Sequence, residues 1–442
     1  MKKYLNLNLV NAYLFGFLAY FFLFGFLNVA FDKIEISQVS ILTIIIILVV
    51  FIYICKLQDF DFLIKSNKNF EIFNNLINKF NFRSYLILLF VVLSIVIYFF
   101  LTMENLFEYT ATHLSVEENL NIKKFAKFKH YIILPVLFLL SSISIIKVLN
   151  KEYFFLNLFL LILFAIFIFM LGRRFSAIYL MFIFMNITNF YIDKINYRKL
   201  FKLGLIVLSL FVIVWIFHSN VYQQKRQNQP KLPQTEFNTN YYNYTKGKLI
   251  TENQFPIMFK IKGTVDNLGS RPSPFYELNR TVKLFEDDKL FFSYGALINQ
   301  SLKNAIPRIL YQDKKFISED SIVSLYLNSD RQIDFSSNAL RLFFLEFGLP
   351  GIIYFLISLT ILFLLINIIL NSLRSNYILY SLYYVSTFIV LLQVETITSN
   401  YFVLIFLGII FFIFNYITNA LFNNTIFRKK LAFLFEVENL KN

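Results

Sequence analysis

The segment from Leu349 to Leu370, LPGIIYFLISLTILFLLINIIL, carries no charged residue. It has the roughly 20 residues that an α-helix needs to cross about 30 Å of hydrocarbon. Within lipid every backbone N–H and C=O must be paired inside the segment, so the run reads as a helix and not as a strand. Working outward, similar apolar runs occupy about 9–30, 41–55, 84–102, 131–148, 153–171, 175–191 and 201–217 before it, and 377–395 and 401–420 after it. The alternating ten-residue strands of a membrane β-barrel are not seen. Composition agrees with this reading: 57% hydrophobic, 19% aromatic and only 16% charged residues over 442 positions leave too little polarity to cover soluble domains of that size. The expected fold is an all-α polytopic membrane protein of about ten transmembrane helices, with one long loop containing short helices.

The spacing of the runs divides the chain into a membrane bundle of about seven helices at 1–217, a long polar loop at 218–336, a short leading helix with about three membrane helices at 337–420, and a tail at 421–442. Met1-Lys2-Lys3 precedes the first apolar run, but no small-residue cleavage site follows Ala30 and more spans do, so this run reads as a membrane helix. Basic residues then set the orientation. With the N-terminus inside, Lys56, Lys65, Lys68, Lys79 and Arg83, then Lys194, Arg198, Lys199 and Lys202, then Arg428, Lys429 and Lys430 all lie inside. Far fewer lie in the short outside segments, so the positive-inside rule places both termini in the cytoplasm and the long loop outside. Gly172-Arg173-Arg174 reads as a tight outside turn between two spans, since two guanidiniums are costly in lipid. In the loop, Gln223 to Tyr244 reads as irregular, whereas Leu284–Leu310 and Ile317–Leu327 carry enough apolar residues for short helices packed on the membrane domain.

Metal chemistry has little to work with. Cys55 is the only cysteine, and His113, His130 and His218 are scattered, so neither a disulfide nor a zinc site is expected, and no cofactor. The net charge of +15 fits an anionic membrane surface and an anionic substrate better than nucleic acid. The basic, aromatic-interleaved stretch from Lys123 to Lys129 reads first as an attractor of anionic headgroups, with contact to lipid pyrophosphates as the alternative.

The sharpest polar signal begins where the long loop returns to the membrane, at Ser336-Ser337-Asn338-Ala339-Leu340-Arg341 and on through Glu346, Gly348, Pro350 and Gly351. Ser336 or Ser337 is a suitable N-cap, and Gly348 with Pro350 ends the short helix and leaves a tight backbone approach before the next span. At 100° per residue Asn338, Arg341 and Glu346 fall on one broad face able to hold a polar substrate. The structural alternative is that Arg341 and Glu346 pair with each other or snorkel to the interface.

At these residues the chain resembles the O-antigen polymerase and O-antigen ligase superfamily. Its loop-exit motif is a His followed by Asn, Ser or Gln, nine residues, Gly, two residues, then Gly, Thr or Tyr. Asn338, Gly348 and Gly351 match, while Ser337 stands where the ligases carry His, the proposed base of that reaction; the departure favours the Wzy-type polymerase. Ile306-Pro307-Arg308, followed by Asp313-Lys314, is similar to a pattern late in the long loop of such polymerases, and the Arg173–Arg174 pair is similar to the superfamily's arginine near its central helices.

The resemblance implies a membrane glycosyltransferase of the bacterial inner membrane with a periplasmic loop. It would move a growing glycan from undecaprenyl pyrophosphate to the next lipid-linked repeat unit in O-antigen or capsule assembly, without a metal and with a chain-length regulator as a possible protein partner. The departing pyrophosphate gains charge, so preorganised guanidiniums are the expected stabilisers. On this reading Arg174 and Arg308 are catalytic, and Arg173, Arg271, Arg280, Lys314, Ser337, Asn338 and Arg341 bind substrate. Glu346 is the candidate general base, with Asp334 second. The structural alternative for each arginine is a solvated charge or an ion pair with Glu277, Glu286 or Asp313. Two other functions compete: a ligase, disfavoured by Ser337, and a flippase, disfavoured because ionisable residues are nearly absent from the spans.

Overall fold

The computed structural model describes residues 9–23, 25–26, 38–57, 133–171, 273–288, 292–306, 338–394 and 398–422, with isolated positions at 72–73, 86, 89–90, 94, 178–179, 182–183 and 186. Most of these residues are helical, with no strand among them. In chain order the helices are α1 (Leu9–Phe17, continued by a π-helical turn over Leu18–Leu23), α2 (Ile41–Leu57), α3 (Leu134–Leu149), α4 (Phe154–Leu171), α5 (Pro274–Glu286), α6 (Ala296–Ala305), α7 (Ala339–Phe347), α8 (Leu349–Ser372), α9 (Tyr377–Leu392) and α10 (Ser399–Phe422).

Seven of the expected spans therefore have a helix at their place. The expected spans at 84–102, 175–191 and 201–217 lie outside the described residues apart from isolated positions, as does the loop helix expected at Ile317–Leu327. Two helices, α8 and α10, are long and apolar enough to cross a membrane by length and composition; α1, α2, α3, α4 and α9 are shorter apolar helices.

Helix α9 is the packing centre, touching α1, α3, α8 and α10. Nearly every side chain from Leu379 to Leu392 is buried, including Tyr380, Tyr383 and Tyr384. Its start is set by Asn376, whose side-chain oxygen accepts from the Leu379 amide at 3.2 Å. Helix α1 reaches the C-terminal end of α9 at Gly16, where an added Cβ would lie 2.2 Å from the Leu392 carbonyl oxygen; only glycine allows that approach. Helix α3 also packs on α9, and it packs against α4, which follows it in the chain.

The outward faces are apolar as well. On α2, Ile41, Ile45, Val49 and Ile52 are exposed while Thr43 is buried, and α4 exposes Phe155 and Phe159. The same holds for Ile353 and Ile357 of α8 and for Ile410 and Phe414 of α10. Continuous apolar surface of this extent marks faces that meet lipid or another protein.

The short helices α5, α6 and α7 gather at one end of this bundle, where α2, α8 and α10 begin. Helix α5 is fastened to the start of α2: the Ser40 amide donates to Asn279 Oδ1 at 2.9 Å, Asn279 Nδ2 donates to the Gln38 carbonyl at 3.2 Å, and Ser40 Oγ donates to Glu286 Oε1 at 2.7 Å. Of these three helices, α6 falls inside the expected Leu284–Leu310 element, and α7 was expected from its capping and stop residues. Helix α5 was not expected, although Ser273 followed by Pro274 is a strong helix start; Ser273 Oγ accepts from the Tyr276 amide at 3.1 Å.

Candidate functional site

Helix α7 opens on Asn338, not on Ser336 or Ser337. Asn338 has extended backbone, and its Oδ1 accepts from the Arg341 amide at 2.8 Å, which fixes which end of the amide is oxygen. An amide at this position caps as well as a serine, so the two serines were equally plausible from sequence and their neighbour took the role. The other amide group, Asn338 Nδ2, is buried and has no hydrogen-bond partner among the described residues.

The stop is as expected. Gly348 ends α7 with φ +63°, a conformation that L side chains rarely adopt, and Pro350 sits in the first turn of α8, where its missing N–H costs nothing. Behind the joint, a Cβ on Gly351 would lie 2.0 Å from the Phe343 carbonyl oxygen. Gly348 and Gly351 therefore let α7 fold back against the first turn of α8, and Phe292 closes over Gly348.

Arg341 and Glu346 neither pair with each other nor snorkel outward; they are 2% and 0% exposed. Arg341 reaches α5, where its Nη2 lies 3.1 Å from Glu277 Oε2 as a charge contact outside hydrogen-bonding geometry, and its Nε donates to Thr281 Oγ1 at 3.0 Å. Glu277 is itself 1% exposed. Removing one partner of such a buried pair strands the other charge, at a cost of about 3–5 kcal/mol.

Glu346 reaches α6 instead. Its Oε1 accepts from the Ile298 amide at 2.7 Å and its Oε2 from the Gly295 amide, two donors at the start of α6 that have no partner within the helix. Gly295 carries φ +92°, which turns these amides toward the carboxylate. The α7 backbone continues the contact: Leu345 O accepts from the Ser293 amide at 3.2 Å and Glu346 O from the Tyr294 amide at 3.3 Å. A carboxylate at a helix start is also favoured by the helix dipole.

The face expected to hold a polar substrate is thus packed against two short helices. The four candidates within the described residues divide by what their polar atoms already do. Arg341 and Glu346 hold helices, whereas Asn338 keeps an unpartnered N–H₂ and Arg280 has no polar partner among the described residues. Arg280 lies on the half-buried side of α5 with Tyr276 and Lys283, away from the Glu277–Thr281 side that meets α7. Arg173, Arg174, Arg271, Arg308, Lys314, Ser337 and Asp334 lie outside the described residues. Sequence reasoning missed the use of Thr281, Gly295 and Ile298, and treated Glu277 only as a partner that an arginine might find.

Among the described residues no group of three or more His, Cys, Asp or Glu side chains is placed to hold a metal ion. Comparison of the chain with protein-family models, with curated proteins and with solved structures finds no match.

Proposed function

We propose that the chain is a polytopic inner-membrane glycosyltransferase that polymerises lipid-linked oligosaccharide repeat units at the periplasmic face. The carrying observation is the α7–α8 joint. Asn338, Gly348 and Gly351, the residues of the loop-exit resemblance, are the cap, the stop and the close approach of one buried unit at one end of an apolar bundle. The apolar outward faces support a lipid setting, and the polar helices at one end support a site at the membrane boundary.

In the reaction, a hydroxyl of the incoming lipid-linked unit attacks the anomeric carbon of the growing glycan. The bond from that carbon to the phosphate oxygen breaks, undecaprenyl pyrophosphate leaves with the electron pair, and the hydroxyl proton passes to a base or water. Arg173, Arg174, Arg271, Arg280, Arg308 and Lys314 are assigned to the diphosphate, with Arg174 and Arg308 in the catalytic role. The Asn338 N–H₂, which has no partner among the described residues, is assigned to a sugar oxygen, the acceptor chemistry that such a donor requires. We assign Glu346 to holding α6, because both of its carboxylate oxygens already accept, from the Gly295 and Ile298 amides.

Complementation tests this reading. In a strain lacking its polymerase, the wild-type chain restores long-chain polysaccharide, whereas Arg174→Ala and Arg308→Ala leave single repeat units with the protein still in the membrane. Asn338→Ser keeps a capping oxygen and removes the amide donor, so it also shortens the ladder without loss of protein. Normal ladders from all three variants would remove the site assignment. Lipid-linked units trapped on the cytoplasmic face after deletion of the chain would replace the polymerase with a flippase.

A further inference from the structure

The two buried charges of α7 sit five residues apart, about 140° around the helix and about 7.5 Å along it. Each grips a different helix: Arg341 holds α5 through Glu277 and Thr281, and Glu346 holds the start of α6 through Gly295 and Ile298. Both side chains are buried between helices. The rest of the α7 surface, Leu340, Leu342, Phe344 and Leu345, is buried and apolar, and the Gly348–Gly351 joint ties α7 directly to α8. The α7 side chains therefore hold the two loop helices at two separate points, Arg341 on α5 and Glu346 on α6, the second beside the backbone bonds from the Ser293 and Tyr294 amides.

We infer that α7 is a double latch, in which Arg341 positions α5 and Glu346 positions α6 independently, so that Arg341 and Glu346 are positioning residues for whatever α5 and α6 present. Helix α5 presents Tyr276, Arg280 and Lys283 along its half-buried side, at intervals of four and three residues that align them in one stripe. Resting on the polymerase reading above, the stripe is the part of the diphosphate site that the Arg341 latch sets in place. Loosening Arg341 then weakens substrate binding, whereas loosening Glu346 leaves the stripe where it is. A shared role in general stability makes a different demand: both substitutions would loosen both helices alike.

The test is amide hydrogen exchange on the full-length protein in lipid nanodiscs, read separately over Pro274–Glu286 and Ala296–Ala305. Arg341→Ala raises exchange in α5 by at least about tenfold and changes α6 by less than about twofold; Glu346→Ala does the reverse. The charge-swapped pair Glu277→Arg with Arg341→Glu brings α5 exchange back toward wild type. Equal changes in both helices, or no change in either, overturn the latch. If an alanine variant does not reach the membrane, Arg341→Lys and Glu346→Gln decide the same comparison, since each keeps part of the contact. Polymerisation assays of the same variants separate the two readings: Arg341→Lys raises KM for the lipid-linked unit several-fold with kcat nearly kept, and Glu346→Gln leaves KM unchanged. Selective exchange together with an inactive wild-type chain retires the polymerase and leaves the latch; an active wild type with unselective exchange does the opposite.

Discussion

The two ends of the bundle are joined by different chemistry. At the end where α8 begins, buried charges make the joints: Arg341 against Glu277, and Glu346 against the first amides of α6. At the end where α8 stops, the described side-chain contacts between α10 and the end of α8 are made by neutral groups. Asn415 Nδ2 donates to the Ser372 carbonyl at 3.0 Å and to Ser375 Oγ at 3.1 Å, and Asn419 Nδ2 donates to Ser375 Oγ at 3.3 Å. Neutral amide and hydroxyl bonds between membrane helices contribute about 0.6 kcal/mol each on average. A buried charge that loses its partner costs several times more. The charged end is thus held in one arrangement by contacts that fail abruptly, while the neutral end tolerates loss, and the charged end is the one that carries the candidate site.

The largest effect expected from this contrast is at Arg341. Arg341→Ala leaves Glu277 buried without its cation and removes the donor to Thr281, and should destabilise the protein by about 3–5 kcal/mol. Thermal unfolding in nanodiscs measures it. Adding Glu277→Ala should recover much of the loss, because no charge is then stranded. A double variant as unstable as Arg341→Ala alone would mean that packing of the arginine stem, and not the charge, holds α5.

Next comes the joint that connects the charged end to α8. Gly351→Ala places a methyl 2.0 Å from the Phe343 carbonyl oxygen, a contact that backbone alone must relieve. The α7–α8 corner has to open, at a cost of about 1–3 kcal/mol. The same melt should show it, together with faster exchange at the Gly348 amide, which donates to the Phe344 carbonyl at 2.8 Å. An unchanged melt would show that the corner is looser than the charged contacts on either side of it.

How far this contrast could be read from sequence differs between the two ends. The apolar runs predicted α8, α9 and α10 to within a few residues, because a segment that must satisfy its own backbone in lipid leaves one solution. The end of α7 was equally legible, since Gly348 and Pro350 act through their own backbones. The partners of Arg341 and Glu346 were not. A helical wheel places both residues on a broad face but carries no information on what lies opposite, and Glu277 and Gly295 come from helices 64 and 51 positions away. Gly295 could have been singled out as a left-handed helix start only once α6 was known to begin there. The Asn415–Ser375 contact was likewise out of reach, because it joins α10 to the turn after α8 through neutral residues that sequence patterns leave unremarked.

The smallest effect belongs to that neutral end. Asn415→Ala removes the donors to Ser372 O and Ser375 Oγ, and Ser375 retains Asn419 as a second amide. The expected loss is about 1 kcal/mol, within reach of careful melts and well below that of Arg341→Ala. Because α5, α6 and α7 lie at the far end of α8, hydrogen exchange over Pro274–Glu286 should not move. If Asn415→Ala instead loosens α5, strain is travelling the length of α8, and the two ends are one mechanical unit whose chemistry cannot be treated separately. If only the last turns of α8 and α10 exchange faster, the ends are independent, and the charged end alone sets the geometry of the candidate site.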